Sequence, residues 1–168
     1  MSMSCQEIRL MSFPLFILVM RHAEKPRDAS DPNLSPAGEA RAAALATYVP
    51  ATFGVPDFIL AAATGADSAR PVETVTPLSQ QVGVPIDDKI ADKDYAKLAR
   101  DLLEKDKYAG RRVVVCWHHG HIPGLLAALG APAGSYPDPW NPQVFDLIVR
   151  LDGTAGGAPA VSRIVEPF

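Results

Sequence analysis

The stretch Leu15-Phe16-Ile17-Leu18-Val19-Met20-Arg21-His22-Ala23-Glu24 decides the fold class. Leu15 to Met20 is an unbroken apolar run, the pattern of a strand covered on both faces in a parallel sheet. Arg21 and His22 therefore fall at the strand's C-terminal end. Val113 to Trp117 repeats the pattern and delivers His118-His119-Gly120-His121 at its own end. Phe58 to Ala62 is a shorter third instance, followed by the loop Thr64-Gly65-Ala66-Asp67.

Helical signals separate these runs. Ser35-Pro36 supplies an N-cap and a first-turn proline for an alanine-rich helix to about Val49, with Pro50 expected to stop it. Pro71 starts a helix near Arg70 that should end near Val82-Gly83. Tyr95, Leu98, Ala99, Leu102 and Leu103 recur at helical spacing and predict one buried stripe. Pro123 opens a helix through Leu129, and Gly130 ends it. After a proline-rich loop, Pro132 to Pro142 around Trp140, two strands follow at Val144 to Leu151 and Ala160 to Val165. The alternation predicts an α/β protein: a three-layer α/β/α sandwich with a mainly parallel central sheet, finished by strands that run antiparallel. Residues 13–168 are expected to form a single domain, and residues 1–12 to lack regular structure.

The 168 residues are 48% hydrophobic and 21% charged, with a formal net charge of -3. That length buries roughly 70% of the unfolded surface, so neither disulfides nor a structural metal is needed for a core. The acidic balance removes the usual electrostatic reason to expect nucleic acid or an anionic membrane as a partner. Only Cys5 and Cys116 are present, the second inside an apolar strand, which suits a reducing compartment. Met11 to Met20 resembles a signal-peptide core, but Arg9 is a weak basic flank and no small-x-small cleavage site follows. No segment reaches the ~20 apolar residues of a membrane span. A cytoplasmic protein is expected.

In open α/β sheets ligands bind beyond the carboxyl ends of the strands. Here those ends carry Arg21, His22, His118 and His119, and Arg70 is one loop beyond the second strand. Guanidinium groups match phosphate oxygens as bidentate donors, a neutral imidazole is a competent nucleophile, and a second imidazole can donate a hydrogen bond to the transferring group. A basic residue at a helix start, as Arg70 is, opposes the macrodipole unless an anion sits there. Three histidines close together also allow a zinc reading, for His118, His119 and His121, although no cysteine or carboxylate motif completes a tetrahedral set.

These residues resemble the histidine phosphatase superfamily, also called phosphoglycerate mutase-like (branch 1), over nearly the whole chain. Arg21-His22-Ala23-Glu24 is similar to its Arg-His-Gly-Glu signature, with Ala23 in place of glycine, and Leu34-Ser35-Pro36-Ala37-Gly38 to its Leu-Thr-x-x-Gly helix start. Arg70-Pro71-Val72-Glu73-Thr74 resembles its Arg-Ala-x-x-Thr helix, and His119-Gly120 its second histidine. The resemblance implies a metal-independent phosphatase without cofactor, acting on a small phosphomonoester or a phosphorylated protein. In it His22 becomes a phosphohistidine, and Arg21, Arg70 and His119 line the phosphate pocket. Alignment on the downstream Ile122-Pro123 selects His118 instead of His119. The proton donor stays open among Glu24, Asp88, Asp92 and Asp94. A catalytically silent phosphate- or phosphopeptide-binding module and a phosphomutase are the alternatives; the chain has no long insertion in which to place a mutase's extra loops.

Overall fold

A computed structural model describes residues 13–155 and 157–168. The expectations placed on residues 1–12 and on Cys5 lie outside the described residues. In chain order the elements are β1 (Phe16–Arg21), α1 (Pro36–Phe53), β2 (Phe58–Ala61), α2 (Arg70–Val82), β3 (Ile86–Asp87), α3 (Tyr95–Glu104), β4 (Arg112–Trp117), α4 (Ile122–Ala128), β5 (Leu147–Asp152) and β6 (Ala160–Val165). Short 3-10 turns at Asp92–Asp94 and Asp106–Tyr108 precede α3 and β4.

The six strands form one sheet in the order β3-β2-β4-β1-β5-β6. β1 pairs parallel with β4, and β2 parallel with both β4 and β3, while β5 runs antiparallel to β1 and β6 antiparallel to β5. The mainly parallel sheet with antiparallel final strands is thus as the element pattern implies. The two-residue β3 carries too little periodicity to be seen in sequence.

Alternation along the strands divides the core into two layers. Ile17, Val19, Val113, Val115 and Trp117 face the side covered by Leu98 and Leu102 of α3 and Leu125 and Leu126 of α4. Phe16, Leu18, Met20, Val114 and Cys116 face Leu45 and Val49 of α1 and Val75 and Leu78 of α2. The buried Cys116 thiol has its pKa pushed up by desolvation, which keeps it an inert packing group.

Pro50 does not stop α1, which continues to Phe53 and ends at Gly54, whose φ is 88°. Proline removes one N–H and can be carried near a helix end, where Gly54 N–H still donates to the Pro50 carbonyl (3.1 Å). The other stops hold as read: α2 ends at Gly83 in the left-handed conformation. Among the described residues no helix is long and apolar enough to cross a membrane.

Candidate active site

The site grows from the registry of β1 and β4. Their parallel pairing sets Arg21 opposite Trp117, and the His22 N–H donates to the Trp117 carbonyl (3.1 Å). The next residue of each strand is a histidine, so His22 and His118 emerge side by side, their ring centroids 5.2 Å apart and nearly edge to face. The ring that packs against His22 is thus that of His118, the alternative in the sequence reading to the preferred His119. β4 ends at Trp117, and the chain turns from His119 to His121. His119, one residue on, lines a neighbouring cavity instead.

His22 is almost wholly buried, and its Nδ1 lies 2.7 Å from the Ala23 carbonyl. A carbonyl oxygen only accepts, so Nδ1 carries the proton and Nε2 keeps its lone pair. Burial drives the ring's pKa down to about 3; the Ala23 bond opposes this, and the nearby Arg21, His118 and Arg70 add to it. The imidazole is therefore neutral across the physiological range, in one tautomer.

Arg21 is equally buried, with one Nη donating to the Pro142 carbonyl and its guanidinium carbon 3.9 Å from the centre of the Phe145 ring. Its Nε and Nη2 have no hydrogen-bond partner among the described residues. Burial, then the like charge of Arg70, lowers its pKa to about 10, so the group stays cationic at neutral pH. Arg70, the first residue of α2, is held by the loop before α1: Nε donates to the Asn33 carbonyl (3.0 Å) and Nη2 to that of Asp31. Two anchored cations thus flank a neutral nucleophile, an arrangement suited to a phosphoryl group.

The turns that place these groups are themselves tied together. Ala23 N–H donates to Thr74 Oγ1 (2.9 Å), and the Thr74 hydroxyl donates to the Arg70 carbonyl (2.7 Å). The threonine four residues after Arg70 therefore fastens the His22 turn to α2. Ser35 caps α1 through Gly38 N–H and also donates, through its own N–H, to the Glu24 carbonyl (2.9 Å). A Cβ on Gly38 would lie 2.3 Å from that same carbonyl oxygen, so only glycine lets α1 approach the His22 turn. Ala23 is fully buried against Leu34 and Ala42, which is how a methyl is accommodated where the resemblance calls for glycine.

The candidate acids separate clearly. The Glu24 carboxylate is taken by Arg41 Nε (2.9 and 3.1 Å), and Arg41 reaches on to Glu166 (3.3 Å). Asp88 and Asp94 are exposed. Asp92 alone turns inward: Oδ2 lies 2.7 Å from His121 Nδ1, and Oδ1 is buried without a partner. Trp117 Nε1 donates to the Asp92 backbone carbonyl (3.0 Å), which fastens this segment to β4.

His118 has its pKa lowered by burial first; Asp92 opposes the shift, and Arg70 and Arg21 reinforce it. His119 is lowered by burial and then by Arg21 and Lys25. The charge of Arg21 thus reaches both histidines. Beside them a cavity of about 480 Å³ is lined by His119, His121, Tyr95, Pro123, Pro139 and Trp140, among others. Tyr95 packs against the core as expected and also stacks on His121 (5.3 Å, 26°) at this cavity. Among the described residues no three His, Cys, Asp or Glu side chains are grouped to hold a metal, so His118, His119 and His121 do not form a zinc set. Phe145, which stacks on Arg21, has no sequence signal.

This is the phosphoglycerate mutase-like α/β/α fold, shared by phosphatases and mutases. A SixA protein histidine phosphatase solved with tungstate matches at 14% identity over 89% of this chain and 96% of that one, with a TM-score of 0.64. Phosphoglycerate mutase from Plasmodium falciparum matches at 15% identity over 91% and 92% (TM-score 0.60). A protein of Agrobacterium tumefaciens, provisionally named phosphohistidine phosphatase SixA, matches at 21% over 91% and 99% (TM-score 0.59). No protein-family model matches the sequence, and comparison with curated proteins finds no match.

Proposed function

We propose that the protein is a metal-independent phosphatase that hydrolyses a phosphomonoester or phosphoprotein through a phosphohistidine on His22. The observation that carries this reading is the His22 Nδ1 bond to the Ala23 carbonyl, which leaves Nε2 unprotonated on a ring within reach of the charges of Arg21 and Arg70. Nε2 attacks phosphorus while Arg21 and Arg70 take the charge of the phosphoryl oxygens, and His118 donates an N–H to the same group. Water then attacks the P–N bond, releasing phosphate and restoring His22. Two displacements replace one difficult step.

With two guanidinium groups and the imidazoles to balance the phosphoryl charge, the scheme calls for no bound cation. The fold is shared with both phosphatases and a mutase, and the lack of a long insertion in which to place a mutase's extra loops favours transfer to water. Phosphate release from an aryl phosphate should persist in a chelator and fall to background in His22→Ala. Turnover retained by that variant would overturn the proposal, and loss on chelation would overturn its metal independence.

A further inference from the structure

We infer that His121, held by Asp92, protonates the leaving group, and that this leaving group is a small molecule seated in the cavity beside it; the inference rests on the phosphatase reading above. Of the four acids considered from sequence, only Asp92 turns towards the histidines, and it is engaged with His121. Glu24 is paired with Arg41, Asp88 and Asp94 are exposed, and Asp92 points at His121. His121 is close in the fold to the nucleophile: the His22 and His118 rings are 5.2 Å apart, and the backbone N–H of His121 donates to the His118 carbonyl (3.1 Å) in the turn that starts α4.

The His121 ring is fixed on two sides, by Asp92 Oδ2 on Nδ1 and by the stacked Tyr95. Tyr95 in turn sits over Gly124, where an added Cβ would lie 2.8 Å from its ring. The remaining nitrogen, Nε2, has no partner among the described residues, and the side chain is 40% exposed on the cavity wall. An imidazole with a carboxylate on Nδ1 and a free Nε2 at a cavity is built to pass a proton at Nε2. The cavity's apolar walls, Tyr95, Pro123, Ala127, Pro139 and Trp140, suit an apolar or aromatic group.

The proton balance closes. As His22 Nε2 bonds to phosphorus, the P–O bond breaks and the departing oxygen takes the Nε2 proton of doubly protonated His121. The now neutral His121 removes a proton from the water that attacks the phosphohistidine, and it ends as it began.

The test compares kcat/KM for phenyl phosphate, whose leaving group needs a proton, with that for dinitrophenyl phosphate, whose leaving group does not. His121→Asn keeps a donor at the Nδ1 position for Asp92 but removes Nε2. It should lower the phenyl phosphate value by about 10²-fold or more and the dinitrophenyl phosphate value by no more than about threefold. Asp92→Asn should reproduce the same selectivity more weakly. An equal loss on both substrates, no loss on either, or the selectivity appearing in His119→Asn instead would overturn the assignment. Turnover of dinitrophenyl phosphate reports that the variant site is folded. His22→Ala must abolish both reactions; if it does and His121→Asn shows no selectivity, only the His121 assignment fails. If His22→Ala retains both, or the wild-type protein turns over neither, the phosphatase reading itself fails.

Discussion

The two sides of the bond proposed to break meet contrasting surroundings. On the phosphoryl side, His22 and Arg21 are buried, and backbone groups hold the parts: the carbonyls of Ala23, Pro142, Asn33 and Asp31 and the N–H of Ala23. On the leaving-group side, His119, His121 and Asp138 line a cavity open to solvent, and the contacts are between side chains. Backbone anchoring fixes geometry irrespective of neighbouring side chains, whereas a side-chain wall can be altered without disturbing the turn that presents the nucleophile. The contrast fits the proposed roles: nucleophilic attack in the first region, leaving-group protonation and substrate choice in the second.

Acid titration should break the contrast most sharply. The folded-state pKa of His22 is about 3 against 6.5 for the free ring. Between those values the unfolded chain binds a proton that the folded chain refuses, so stability falls as pH drops through that window. His22→Asn lacks the titrating group while keeping a donor for the Ala23 carbonyl. Its stability relative to wild type should rise steadily from pH 6.5 towards pH 3 in denaturant melts, whereas parallel curves would show that His22 titrates normally.

Next in size is Gly38→Ala. The new methyl would meet the Glu24 carbonyl at 2.3 Å, and the backbone must move. A loss of about 1–3 kcal/mol is expected, with a lower kcat because the His22 turn shifts with it. Unchanged stability and activity would mean that the approach of α1 does not position the nucleophile.

Much of this was legible in the sequence because burial on both faces leaves a continuous apolar run, and such runs located β1, β2 and β4 together with the residues at their ends. Gly38 and Thr74 were visible as motif positions, although only the structure gives the reasons: a close approach in one case and a bond to Ala23 N–H in the other. Two registers were open for the second histidine because local motif alignment competes with strand registry. Counting one residue beyond Arg21 and one beyond Trp117 points to His118. Tyr95 packs against the core as its helical spacing implies, but spacing alone does not show that its ring also forms a cavity wall. The Asp92–His121 pair and the Phe145 stack join residues far apart in sequence through irregular segments, where no period records the contact.

The smallest effect is expected at the cavity rim. Asp138 is exposed and makes no ion pair among the described residues, so Asp138→Asn should change stability by less than about 0.5 kcal/mol. Any effect on turnover should fall on KM and depend on the leaving group. A large fall in kcat on every substrate would place the chemistry on the wrong side of the contrast.

Trapping the intermediate would identify the nucleophile itself. Protein quenched in alkali during turnover of an aryl phosphate, then digested and analysed by mass spectrometry, should carry an acid-labile, alkali-stable phosphoryl group on the peptide containing His22, at the imidazole. A phosphoryl group on His118, His119 or His121 instead, or none under conditions where His22→Ala is inactive and wild type turns over, would contradict the account.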